Sequence, residues 1–188
     1  MISTPVTTLI SLAEFLQQPE TKPASEYIDG NIYQKPMPKG KHSAIQTFLA
    51  SAINQISTPQ KIARGFTELR CTFGGRSIIP DISVFNWELI PLDNYGEIEN
   101  EFTIPPNWVI EILSPEQSST RVINNILFCL KHGTELGWFL DPQERLIITF
   151  LPNQLPEVKQ NQDILPVLNS LPDWKISVED IFSCLKLN

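Results

Sequence analysis

The spacing of apolar residues predicts several helices. Ser11, with Glu14 three positions later, forms a capping-box pattern for a short helix that ends near Pro19. A longer amphipathic helix is expected after Lys39–Ser43, where apolar residues recur at helical spacing. Its buried face would consist of Ile45, Phe48, Leu49, Ala52, Ile53 and Ile56. A third helix is predicted over Val122–His132, with Gly133 as its stop.

Runs of β-branched and large apolar residues between these segments predict strands. Glu26–Tyr33 has the pattern of a hairpin with Asp29-Gly30 as its tight turn. Lys61–Thr72 is predicted to be one strand with Glu68 near its middle, and Gly74-Gly75 turns the chain into the next strand, Arg76–Phe85. Further strands are expected at 108–113, 136–140 and 145–151, and Ser177–Asp180 is expected to cap a last helix ending at Leu187.

This order of elements predicts an α/β fold with a mixed sheet and helices on its faces. The chain of 188 residues is long enough for a real core and shows no internal repeat or linker, so residues 1–188 are expected to form one domain. The loop from Asn86 to Asn107 is long for a compact domain, which is typical of a functional or mobile segment.

Composition narrows the class of protein. The formal net charge of −7 argues against non-specific coating of nucleic acid, although a local basic groove remains compatible with it. The three cysteines lie far apart, so a zinc site is not expected. The chain is expected to be reduced and cytoplasmic. No apolar stretch reaches the length of a membrane span, and the first residues lack the basic start of a signal peptide.

Two acidic residues stand out because each is set in an apolar, strand-like run. Asp81 lies within Ile78–Phe85, and Glu111 lies thirty positions later within Trp108–Leu113. Burying a lone carboxylate is costly unless it is paired or holds a metal. On neighbouring strands, Asp81 and Glu111 would form an oxygen-rich site for a divalent cation. The alternative is that one or both acids lie at strand ends and pair with a surface arginine.

Such a pair of acids is suited to metal-assisted hydrolysis of phosphodiesters. Mg²⁺ prefers carboxylate oxygens in octahedral geometry and retains several waters. A metal-bound water loses its proton more easily and can attack phosphorus, while the metal offsets the charge that develops on the phosphoryl oxygens.

A set of short motifs spread over nearly the whole chain resembles a bacterial protein family. The motifs are Glu26-Tyr27-Ile28-Asp29-Gly30, His42, Pro80-Asp81, Glu111-Ile112-Leu113-Ser114-Pro115, Gly133 and Trp138-Phe139-Leu140-Asp141-Pro142. They resemble a restriction-endonuclease-like family that is abundant in cyanobacteria and belongs to the PD-(D/E)XK nuclease superfamily. The resemblance implies a restriction-endonuclease-like core, a DNA substrate, Mg²⁺ or Mn²⁺ as cofactor, and a homodimer.

By the same resemblance, Asp81 and Glu111 are the metal-binding acids, with Glu68 or Glu26 as possible additional acids. The superfamily motif places a lysine two residues after the second acid, where this chain has Leu113. The family commonly supplies the lysine from the following helix instead, and there this chain has Asn125. Arg121, one turn before Asn125, is the nearest cation in sequence.

The missing lysine leaves several interpretations open. The site could work with Arg121, Lys131 or a lysine from elsewhere such as Lys41, or it could bind metal with little turnover. Lys41 and His42, at a helix start, could help hold a phosphate, although His42 could equally cap the helix. The main alternative function is a catalytically degenerate nuclease fold that binds DNA or protein, and an enzyme acting on a small phosphoester is a third.

Overall fold

The structure is a computed structural model that describes residues 10–115 and 117–187. Within these residues the helices are α1 (Leu12–Leu16), α2 (Gly40–Ser57), α3 (Ser119–Lys131) and α4 (Val178–Ser183). The strands are β1 (Ser25–Ile28), β2 (Asn31–Gln34), β3 (Ala63–Thr67), β4 (Cys71–Phe73), β5 (Arg76–Ile78), β6 (Ile82–Asn86), β7 (Trp108–Ile112), β8 (Leu136–Asp141), β9 (Leu146–Phe150) and β10 (Glu157–Gln160).

The larger of two sheets has six strands in the order β10-β9-β8-β7-β6-β3. Its central pair, β7 and β8, is parallel, and its other pairs are antiparallel. A smaller four-stranded sheet has the order β2-β1-β5-β4. The predicted α/β class with a mixed sheet and flanking helices is therefore confirmed, and the smaller sheet is an addition that the sequence pattern did not predict.

Alternation along β7 distributes its side chains between two cores, one on each face of the larger sheet. Ile110 and Ile112 belong to the core that includes Ile45, Leu49 and Ile53 of α2. Val109 belongs to the opposite core, which includes several side chains of α3, namely Val122, Ile126 and Cys129. Because successive strand residues point to opposite faces, Glu111 points to the side of the sheet on which α3 packs.

Residues at the ends of the helices and in the β1–β2 turn form the caps and the turn predicted from the sequence. Ser11 and Glu14 form a reciprocal capping box at α1, and Ser177 and Asp180 form one at α4. The β1–β2 turn has positive φ at both central residues, 50° at Asp29 and 85° at Gly30, a conformation that this residue pair favours. None of the helices in the described part of the chain combines the length and apolarity needed to cross a bilayer.

The predicted single strands at Lys61–Thr72 and Arg76–Phe85 are wrong, because each divides into two strands that belong to different sheets. The chain leaves the larger sheet after β3, passes through β4 and β5 of the smaller sheet, and returns in β6. Glu68 lies at the first crossing, with a φ of 51°, and Asp81 at the second, directly after Pro80. Neither crossing contains a glycine that would mark a turn, so the sequence pattern did not show the breaks.

Two further differences lie near the end of the chain. The passage after β9 contains the strand β10, which is mostly exposed at a sheet edge and lacks the apolar alternation of a half-buried strand. The last helix ends at Ser183, not at Leu187.

Candidate active site

Asp81 occupies the point where the chain crosses between the sheets, and it is almost fully buried, with 1% of its surface exposed. Its Oδ2 accepts a hydrogen bond of 2.7 Å from the backbone N–H of Ile112 on β7. Its backbone carbonyl accepts one of 2.8 Å from the side chain of Gln46 on α2. Strand β7 and helix α2 thus both fix its position.

The counter-ion of Asp81 is Lys35, the residue after β2. Its Nζ donates to Asp81 Oδ1 at 2.7 Å and to the carbonyl oxygen of Ile79 at 2.6 Å. Only 9% of the Lys35 side chain is exposed. A charged group this deeply buried needs a close partner of opposite sign, and Asp81 provides it.

Glu68 approaches the same place from the other crossing between the sheets. Its Oε2 lies 3.9 Å from Lys35 Nζ, and its Oε1 accepts a 2.9 Å hydrogen bond from Gln46. Its side chain is 39% exposed, in contrast to Asp81. The structure therefore brings Glu68 beside Asp81, where it is the solvent-facing acid.

His42, in the first turn of α2, lies between Asp81 and Ser114. Its Nδ1 is 3.2 Å from Ser114 Oγ and its Nε2 is 3.4 Å from Asp81 Oδ1. Within the described part of the chain, Nε2 is buried without a hydrogen-bond partner. The α2 N-cap residue is Lys39, so His42 points into the site and does not cap the helix.

Glu111 lies behind Asp81 on the neighbouring strand. Ile82 pairs with Ile110 in the antiparallel β6–β7 ladder, so Asp81, directly before β6, lies beside Glu111 of β7. The backbone N–H of Asp81 donates to the Glu111 carboxyl group. Glu111 is 3% exposed, and it does not line the cavity beside Asp81.

Glu26, on β1, is the fourth member of an acidic cluster around Lys35, which also contains Asp81, Glu68 and Glu111. Its Oε1 accepts a 2.8 Å hydrogen bond from the backbone N–H of Ile79, and its Oε2 lies 3.4 Å from Asn125 Nδ2. The Oδ1 of Asn125 is buried without a hydrogen-bond partner among the described residues. The helix position at which the resemblance places a lysine therefore does point toward the acids, but it carries a neutral amide.

The two cations expected at the site from the sequence, Arg121 and Lys41, form no ion pair with Asp81 among the described residues. Arg121 is exposed, and its guanidinium lies 4.3 Å from the ring centre of Tyr33. Tyr33 is paired with Glu26 across β1 and β2, so Arg121 and Asn125 contact the same hairpin one turn apart. Lys41 is exposed at the start of α2. Arg121 therefore contacts an aromatic ring beside the acidic cluster.

Two cavities that share His42 and Ser114 open onto this cluster. The smaller has a volume of about 60 Å³ and is lined by Lys35, Glu68 and Asp81 together with the Pro23–Ala24 and Pro36–Pro38 segments. The larger, of about 620 Å³, is lined by Lys39–His42, Leu113–Pro115 and Asp141–Gln143. A molecule in the larger cleft would thus be in contact with His42 and adjacent to Asp81.

Burial and charge set the pKa values of the buried acids in opposite directions. Burial alone would raise the pKa of Asp81, but the Lys35 ammonium and the His42 ring outweigh it and lower the pKa to about 2. Burial and the nearby Asp81 carboxylate raise the pKa of Glu111 well above its ordinary value of 4.5. Burial also raises the pKa of Glu26. Asp81 is therefore ionised at neutral pH, whereas Glu111 holds a proton more tightly than an ordinary glutamate.

The donor set fits a divalent cation. One ligand atom from each of His42, Glu68 and Asp81 lies within 4.8 Å of the others. Carboxylate oxygens suit Mg²⁺ and Mn²⁺, and an imidazole nitrogen suits the softer transition metals. The unpartnered Nε2 of His42 is the kind of buried polar atom that a bound ion would satisfy.

Sequence reasoning missed two residues of this site, Lys35 and Gln46. Lys35 follows a short polar hairpin strand and precedes Pro36, a setting typical of an exposed residue. Gln46 lies in α2, one turn after His42. This spacing places both side chains on the same side of the helix, and it was the signal that Gln46 could belong to the site. Ser114 belongs to the Glu111–Pro115 motif, and its hydroxyl contacts His42.

Comparisons with known proteins agree with this fold. The model of the Uma2 family, described as putative restriction endonuclease, matches residues 12–179. The crystal structure of a putative nuclease belonging to DUF820 from Anabaena variabilis is similar, with a TM-score of 0.93 and 54% sequence identity, and the match covers 94% of this chain and 99% of that one. A comparison with curated proteins gave no match. The match over most of its length shows that the chain belongs to the Uma2 family of restriction-endonuclease-like proteins.

Proposed function

We propose that this protein is a divalent-metal-dependent endonuclease that hydrolyses phosphodiester bonds in DNA. The observation that carries the proposal is the placement of Asp81, directly before β6, beside Glu111 of the adjacent strand β7, next to a cavity lined by His42, Glu68 and Lys35. Asp81 and Glu111 would hold Mg²⁺ or Mn²⁺, and His42 and Glu68 are close enough to Asp81 to contribute ligands. The larger cleft would accept the DNA backbone.

Each group then has a defined part in the reaction. A divalent ion held there would supply a more acidic water and would offset negative charge on the phosphoryl oxygens. Asp81, ionised through its contact with Lys35, is a permanent anionic ligand. Ser114 orients the ring of His42 toward Asp81. Lys41, at the margin of the larger cleft, would contact a phosphate.

The test is plasmid nicking with Mg²⁺ or Mn²⁺, combined with calorimetric measurement of Mn²⁺ binding. Asp81→Asn and Glu111→Gln keep the shape of each side chain and should lower nicking at least about 10²-fold. Both should also weaken Mn²⁺ binding, and chelation by EDTA should abolish nicking by the wild type. Matched controls are the exposed acids Asp173→Asn and Glu101→Gln, which line neither cavity. Wild-type nicking in either site variant would contradict the assignment.

One observation favours the alternative of a degenerate fold that binds DNA or protein without cutting it. The side chain at position 125, which points at Glu26, is a neutral asparagine. Binding of duplex DNA without cleavage at any Mg²⁺ or Mn²⁺ concentration would support this alternative over the endonuclease.

A further inference from the structure

We propose that Lys35 supplies the fixed positive charge of the active site, from a hairpin and not from helix α3. This inference rests on the proposed function and assigns to one residue the charge-stabilising part of the reaction. Phosphoryl transfer is catalysed largely by positioning and by positive groups aimed at the oxygens that gain charge. The structure places one such group, the Lys35 ammonium, 2.7 Å from the buried carboxylate of Asp81.

The backbone holds Lys35 firmly. Its N–H donates to the carbonyl oxygen of Ala24 at 2.8 Å, which extends the β1–β2 pairing by one step beyond β2. Pro36 follows at once and restricts both residues. A lysine at the end of a paired strand is therefore already ordered before substrate arrives, so little conformational entropy is lost on binding.

The ammonium also retains a hydrogen that can reach substrate. A lysine ammonium has three N–H donors. Two are directed at Asp81 Oδ1 and the Ile79 carbonyl oxygen, and Glu68 at 3.9 Å is too distant for a hydrogen bond. Because Lys35 lines the 60 Å³ cavity together with Asp81 and His42, a phosphoryl oxygen in that cavity would meet the third donor.

Charge balance supports the same assignment. The Lys35 ammonium lies 2.7 Å from an oxygen of Asp81 and 3.9 Å from an oxygen of Glu68, so its charge faces two carboxylates of the site. Arg121 lies over the ring of Tyr33, and Asn125 is neutral, so neither places a positive charge against Asp81. Lys35 thus provides, from a different element, the charge that position 125 lacks.

The decisive experiment compares Lys35→Gln with wild type in two assays. If Lys35 acts on the transition state, plasmid nicking with Mn²⁺ should fall by about 10²–10³-fold. Mn²⁺ binding measured by calorimetry should stay equal or become tighter, because a positive charge next to the ligand Asp81 has been removed. Lys35→Arg, which keeps the charge with a different shape, should recover part of the lost rate. Lys159→Gln, on the edge strand β10, is the matched control.

Loss of Lys35 leaves buried carboxylates without their counter-ion, which can impair folding. Glu26→Gln and the double variant Lys35→Gln/Glu26→Gln test whether a folding defect, and not a slower reaction, explains reduced nicking. The double variant removes one buried carboxyl group together with the ammonium, so fewer buried acids are left without a counter-ion. The double variant should nick about 10²-fold more slowly than Glu26→Gln alone while unfolding at a similar temperature.

The outcomes separate the two proposals. If the wild type shows no metal-dependent nicking, the proposed function itself fails. If the wild type nicks and Lys35→Gln nicks equally well, the endonuclease stands and the assignment of Lys35 is overturned. Parallel loss of Mn²⁺ binding and nicking in Lys35→Gln, without recovery in Lys35→Arg, would also overturn it, because Lys35 would then only hold Asp81 in place.

Discussion

The carboxyl group of Glu111 is buried beside the Asp81 carboxylate, and both features raise its pKa. The folded protein therefore keeps the Glu111 proton at a pH where the unfolded chain, with its ordinary pKa near 4.5, has already lost it. As pH rises above that value, ionisation favours the unfolded chain, and the wild type loses stability. In the proposed function Glu111 holds a metal ion, so its cost to the metal-free protein would be a conflict between stability and function.

Glu111→Gln should consequently stabilise the metal-free protein, and more so at higher pH. Glutamine can still accept the hydrogen bond from the Asp81 backbone but has no proton to lose. In EDTA, the difference in melting temperature between variant and wild type should be small near pH 5 and positive near pH 8. Each 1 kcal/mol corresponds to roughly 2–4 °C for a chain of this size. A difference that shrinks between pH 5 and pH 8 would contradict the assigned direction of the pKa shift.

Among the elements, α3 packs closely against the larger sheet at Gly137 of β8. A methyl group added at Gly137 would clash with Cγ2 of Ile126, in a well-packed core. Gly137→Ala should therefore push α3 outward and cost about 1–3 kcal/mol, measurable by thermal or urea unfolding. Gly40→Ala is the matched control, because a methyl group there meets nothing within 4 Å. Equal stability of the two variants would show that α3 adapts without cost.

Some helices and strands of this fold could be predicted from the sequence, and other features could not. The β1–β2 hairpin, helix α2 and strand β7 follow from local signals, namely Asp29-Gly30, a helical apolar stripe and a continuous apolar run. The crossings at Glu68 and Asp81 do not, because the change of sheet depends on which distant strands pair. Lys35 is hidden for the same reason: a lysine next to a proline becomes buried only when β2, Ile79 and Asp81 meet.

Across the whole molecule, negative charge exceeds positive charge, with a net charge of −7. The proposed DNA substrate would therefore have to approach at a limited positive region. Lys41 is exposed at the larger cleft, so Lys41→Gln should weaken duplex binding and lower the slope of log affinity against log salt by about 0.9. Anisotropy titrations of labelled DNA over a range of KCl concentrations measure that slope. Lys159→Gln, on an edge strand, should leave it unchanged. A Lys41→Gln slope equal to that of the wild type would mean that the backbone of DNA binds elsewhere on the molecule.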